Sequence, residues 1–188
     1  MPWHLVVARS SDVYLVLTDF EAFPSGVQFA ASLRWRPRPG DIDPRSRHLP
    51  MMGFGGPDGP RLGVAFADGR KASVGHQFFP RPDAEPDGPL LLPRGGGGGG
   101  DEWRMGLWLW PLPPAGPLAF VADWPAMGAA EKKVTADAGE LIAASAQALQ
   151  LWPVEPGAGV VGGAFGGGWA TAVAVAKPEE PGRGRGPS

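Results

Sequence analysis

Glycine and proline decide where this chain can hold a core. Of its 188 residues, 30 are Gly and 23 are Pro, a level at which low-complexity segments are expected. Most of them fall in four stretches, Pro37–Pro60, Pro80–Gly100, Pro153–Gly168 and Pro178–Pro187. What remains suffices for one ordinary domain. The expected organisation is a single β-rich domain over residues 1–153 with flexible loops at 37–60 and 80–100. A Gly/Pro-rich, largely disordered tail follows over 154–188.

The clearest periodicity is Val27–Arg36, where Val27, Phe29, Ala31, Leu33 and Trp35 alternate with Gln28, Ala30, Ser32, Arg34 and Arg36. Side chains alternate across a strand, so this reads as a half-buried strand with Trp35 in the core and the arginines in water. Asp12–Phe23 is rich in strand formers, and Phe23-Pro24-Ser25-Gly26 supplies the turn of a hairpin. A shorter strand is read at His4–Arg9. Leu62–Ala67 and Arg70–Gly75 flank Asp68-Gly69, a type I′ hairpin signal in which both central residues take positive φ. Trp103–Trp110 and Leu118–Trp124 read as a third pair joined by a stiff proline corner, Pro111–Pro117. The glycine run Gly95–Gly100 reads as a flexible loop between strands.

One helix is predicted, Ala138–Gln150, with Ala138, Leu141, Ile142, Ser145 and Leu149 at helical spacing. Asp137 is placed to cap it, Glu140 to complete a capping-box pair, and Pro153 to stop it. Strands in hairpins with one late helix predict a mainly β fold, an antiparallel two-sheet sandwich, with a flattened barrel as the alternative.

Charge and composition remove several functions. Lys and Arg total 17 against 19 Asp and Glu, with no long basic cluster, which argues against nucleic-acid binding. With no cysteine there is no disulfide, thiolate metal site or Cys nucleophile, and the chain suits a reducing cytoplasm. No export signal is read at the N-terminus. Residues 156–176 carry no charge and are followed by Lys177, Arg183 and Arg185, which raises a C-terminal membrane anchor. The glycine content gives that segment little hydrophobic drive, so membrane association is disfavoured.

Chemical motifs are thin. Gly157-Ala158-Gly159-Val160-Val161-Gly162 fits G-x-G-x-x-G but lacks the strand that a dinucleotide site needs before it. The histidines His4, His48 and His76 have no ligand spacing, and Asp41 and Asp43 lie among arginines, so no metal and no cofactor is expected. Asp19 and Glu21 share a strand face as a possible acid–base pair. Ser73 and His76 are a weak nucleophile–base couple without a nucleophile elbow. These four residues carry the enzyme alternative, a hydrolase or small-molecule-binding protein with a pocket between the sheets.

Eight tryptophans stand out. Trp108 and Trp110 fall on one strand face and Leu107 and Leu109 on the other, so the Trp face needs a cover: the second sheet, the helix, a partner or a ligand. Pro111 and Pro114 also have P-x-x-P spacing. The string from Trp108 to Leu118 (W-L-W-P-L-P-P-A-G-P-L), followed by Phe120, Trp124-Pro125 and Leu151-Trp152-Pro153, resembles an uncharacterised family of actinobacterial proteins over roughly Trp3 to Pro153. The resemblance implies no activity, cofactor or catalytic residue. The leading expectation is a non-enzymatic interaction module that binds another protein or itself. Its candidate surface is Trp108, Trp110, Pro111, Pro113, Pro114 and Trp124.

Overall fold

The structure, a computed structural model, describes residues 2–36, 54, 59–75, 88–99 and 101–149. All of them belong to the unit Met1–Leu149, and the expected tail lies outside the described residues. Two antiparallel sheets and a late helix form a mainly β fold with no closed barrel. The five-stranded sheet holds β1 (Leu5–Arg9), β2 (Val13–Phe23), β3 (Gly26–Trp35), β6 (Leu90–Gly99) and β7 (Glu102–Trp110), in the order β1-β2-β3-β7-β6. The four-stranded sheet holds β4 (Arg61–Ala65), β5 (Lys71–Ser73), β8 (Pro117–Trp124) and β9 (Ala129–Asp137), in the order β5-β4-β8-β9.

Strand alternation sorts residues into core and face as the sequence predicts. Val27, Phe29, Ala31 and Leu33 are buried, Trp35 packs partly against the core, and Arg34 and Arg36 are exposed. The centre of the core is aromatic. Phe20 stacks on Phe29 with centroids 5.0 Å apart, and both meet Phe120 of the other sheet edge-on at 5.8 and 5.7 Å. Edge-to-face pairs of this kind add to simple area burial. Phe20 reaches the core because β2 carries a bulge between Thr18 and Glu21, with Asp19 at φ 53°. The extra residue lets Asp19 face outward while Phe20 turns inward.

Six expectations change. Gly95–Gly99 is part of strand β6 and not a loop: it pairs with β7, Gly96 opposite Met105 and Gly98 opposite Trp103. A Cβ at Gly98 would lie 2.1 Å from the Glu102 carbonyl oxygen, and one at Gly96 2.7 Å from that of Arg104, so the two backbones approach closely only because these residues are glycine. β7 and β8 do not pair with each other. β7 sits between β3 and β6, β8 between β4 and β9, and the proline link crosses from one sheet to the other. Within that link Pro113 is buried, Leu112 packs against the core, the Trp110–Pro111 bond is cis, and the Gly116 carbonyl accepts from the Ala138 amide at 2.9 Å.

At Asp68-Gly69 only Gly69 takes positive φ (87°), because a wider loop is closed by the Phe66 amide on the Arg70 carbonyl. The helix α1 spans Ala138–Ser145, shorter than predicted. The Ser145 hydroxyl donates to the Ile142 carbonyl at 2.8 Å, and the next amides form tighter three-residue turns, the competition through which Ser weakens a helix. Asp137 caps α1 through the Gly139 amide at 2.9 Å. Glu140 accepts instead from the Trp3 indole N–H at 2.9 Å. Finally Phe54, inside the expected loop 37–60, is buried in the core.

Candidate functional site

Trp108 lies on the outer face of the five-stranded sheet. Its neighbours Leu107 and Leu109 point into the core, while Trp108 sits opposite Gln28 of β3 and Leu92 of β6. Although it faces outward it is only 6% exposed. Part of its cover is Phe23, 37% exposed, whose ring lies tilted at 5.8 Å. Part is the Arg94 guanidinium, 5.5 Å from the indole centroid. Burial pushes the Arg94 pKa below its ordinary value, and a partly desolvated cation gains most from an indole face. Phe23, Trp108, Arg94 and half-buried Leu92 form a ledge, which Trp110, opposite Leu90, extends.

Beside this ledge runs the edge of the sheet. β6 is its outermost strand, and among the described residues nothing pairs with its far side. The second half of β6, Gly95–Gly99, is exposed and has no side chains. Its glycines are of two kinds. Gly96 and Gly98 are required by the approach of β7. Gly97 and Gly99, opposite Arg104 and Glu102, would carry a Cβ that meets no described residue within 4 Å, and neither has positive φ. Glycine in a strand costs about 0.5–1 kcal/mol relative to alanine, so packing among the described residues does not account for these two.

The six candidate residues do not share one surface. Trp124 is in the core at 4% exposed, on the inner side of β8. Pro113 is buried in the inter-sheet link, and Pro111 and Pro114 are half-buried in it. Only Trp108 and Trp110 lie on the outer face with the ledge. Phe23 and Arg94 were missed by sequence reasoning. Phe23 looked like a turn residue, and Arg94 lay beside a presumed loop.

The rest of the outer face is laced by ion pairs. Arg104 reaches across β3 to the Asp19 carboxylate, and Arg34 Nη2 meets Glu102 Oε2 at 2.9 Å. The hydrogen bond from Thr18, and then Arg104, hold the Asp19 carboxyl below the usual carboxylate range. Asp19 and Glu21 do both face outward, but Asp19 is committed as an anion and has no proton to give near neutral pH. A trough of about 620 Å³ lies between the outer side of the four-stranded sheet, with Gly63, Val121, Lys71, Ser73 and Lys133, and the start of β6 in the other sheet, with Pro89, Leu90 and Leu91. Ser73 is exposed there, whereas His76, the other half of the suggested couple, lies outside the described residues. So do His48, Asp41, Asp43 and Gly157–Gly162.

Among the described residues no three His, Asp or Glu side chains converge, and no helix is long and apolar enough to cross a membrane. Residues 156–176 lie outside the description. Comparison with protein-family models, with curated proteins and with solved structures finds no match to this chain.

Proposed function

We propose that this chain is a non-enzymatic interaction module that takes up an extended segment of a partner polypeptide as an additional strand on β6. The observation that carries the reading is the pair Gly97 and Gly99, where a Cβ would meet no described residue within 4 Å, so that glycine leaves the face of the sheet along this edge bare for the side chains of an added strand. Strand addition draws affinity from main-chain hydrogen bonds and specificity from alternate side chains. A segment laid along Gly95–Gly99 would run beside Arg104 and Glu102, and would meet the ledge of Arg94, Trp108 and Leu92 with the side chain at the end that runs past Gly95. An acidic or aromatic side chain suits Arg94 and Trp108 best. An exposed edge strand is otherwise a hazard that proteins block with charge or proline, and Pro93 with the Arg94–Gly95 bulge blocks only the first half of β6. The lack of cysteine suits a cytoplasmic setting for this role.

The test compares the tagged chain with its Gly97→Thr/Gly99→Thr form, purified from native cells with cross-linking. The reading predicts a stoichiometric protein cross-linked to residues 94–102 of the unsubstituted chain and lost from the double variant. A second copy of this chain as that protein would identify the segment as its own. A partner retained equally by the double variant, or cross-linked only elsewhere, overturns the reading.

A further inference from the structure

On the opposite edge of the same sheet the strand register gathers positive charge. Arg9 of β1 stands opposite Tyr14 of β2, Tyr14 opposite Arg34 of β3, and Arg34 opposite Glu102 of β7. Residues directly opposite one another share a face, with Cβ atoms roughly 5 Å apart, so Arg9 and Arg34 flank the Tyr14 ring. Arg36 follows Arg34 at the spacing that returns to the same face. A cleft of about 390 Å³ opens here, lined by Arg9, Tyr14, Arg34, Trp35, Arg36 and the turn of residues 10–12.

The turn is fixed before any ligand arrives. The Ser10 amide donates to the Val13 carbonyl at 2.9 Å, the Asp12 amide to Ser10 Oγ at 3.2 Å, and Ser10 Oγ to the Met127 carbonyl at 2.8 Å. The Arg36 amide closes the end of the sheet on the Asp12 carbonyl at 2.8 Å. Of the three guanidinium groups Arg34 is held by Glu102. Asp12 is the one carboxylate among the described lining residues, so with Glu102 set against Arg34 the three cations face two carboxylates.

We propose that this cleft binds the phosphoryl group of a small molecule. A planar carboxylate is satisfied by one bidentate arginine, whereas a tetrahedral dianion takes donors from several directions. Arg9 and Arg36 on either side of the turn, with the Ser11 hydroxyl, supply that arrangement. The cleft is shallow and open, and it leaves room beside the phosphoryl group for an organic portion against Tyr14, whose side chain is 37% exposed. The inference stands apart from strand addition on β6 and shares no residue with it.

The test is a titration of the isotope-labelled full chain with inorganic phosphate, phenyl phosphate and succinate, followed by NMR at backbone amides and arginine side chains. The expected result is saturable displacement by both phosphates at Arg9, Arg36 and the amides of residues 10–12. Phenyl phosphate should bind more tightly than inorganic phosphate, and succinate about tenfold more weakly than either. Arg9→Gln/Arg36→Gln should weaken phosphate binding by at least about tenfold. Both positions are exposed, and the map on the unsubstituted chain decides the matter even if that variant does not fold. Non-saturating or scattered shifts, saturation at Lys71 and Lys133 instead, unchanged affinity in the double variant, or succinate binding as tightly as phosphate would each overturn the proposal.

Discussion

Trp108 lies directly over Gly26: a Cβ on Gly26 would stand 2.8 Å from the indole Cζ2 and 2.4 Å from the Leu109 carbonyl oxygen. The residue that closes the β2–β3 turn therefore also seats the ledge. Gly26→Ala should destabilise the fold by about 1–3 kcal/mol, the usual consequence of overpacking, and should expose Trp108. Denaturant unfolding together with acrylamide quenching of indole fluorescence checks both effects. An unchanged midpoint would mean that β3 and the ring part easily and that the ledge is not fixed.

The glycines of β6 should divide into two classes. Gly96→Ala and Gly98→Ala push into the backbone of β7 and should each cost about 1–3 kcal/mol. Gly97→Thr and Gly99→Thr enter space open among the described residues, replace a poor strand former with a good one, and should leave stability unchanged or raise it by up to about 1 kcal/mol each. Four thermal melts decide the matter. Equal losses at all four positions would remove the distinction on which the open edge rests.

Asp19 gives the fold a measurable acid dependence. The Thr18 hydroxyl and Arg104 depress its folded pKa, so its contribution is complete above the unfolded value of about 4 and is lost as the pH falls through the lower folded value. Because the pair is largely exposed, with side chains 53% and 56% accessible, Asp19→Asn should cost less than about 1 kcal/mol at neutral pH. That difference should vanish in acid below the ordinary carboxylate range. Asp19→Ala should cost more, since Ala at φ 53° adds roughly 1–2 kcal/mol of backbone strain. Urea unfolding of the three proteins between neutral pH and acid tests this.

The cap of α1 is a separate local test. Asp137→Ala removes the acceptor of the Gly139 amide and should destabilise the chain by about 1 kcal/mol, whereas Asp137→Ser should recover most of that loss. If both variants match the unsubstituted chain in thermal melts, the cap carries no weight.

The legible parts of the fold were those whose signal is local. Alternation from Val27 to Trp35 needs only the two-residue repeat of a strand, and Asp137 announces a helix start by itself. β6 was hidden because glycine signals freedom and not a partner: only the neighbouring backbone of β7 makes a strand of it. β9 was overlooked for the opposite reason. Its Glu131-Lys132-Lys133 run conceals the alternation, as suits an edge strand protected by charge. The placement of β7 and β8 in different sheets depends on long-range pairing that no turn residue records. At the candidate site the outward position of Trp108 and Trp110 followed from the buried Leu107 and Leu109. Phe23 and Arg94 join them only through a hairpin and a bulge that register alone fixes.

The most direct measurement is hydrogen exchange of the Gly95–Gly99 amides, in the isolated chain and in the complex recovered from native cells. Strand addition predicts fast exchange at the edge-facing amides of this segment in the isolated chain and at least about tenfold slowing of those amides in the complex, with the β1 edge unchanged. Protection confined to other surfaces, with Gly95–Gly99 exchanging equally fast in both, would contradict the account.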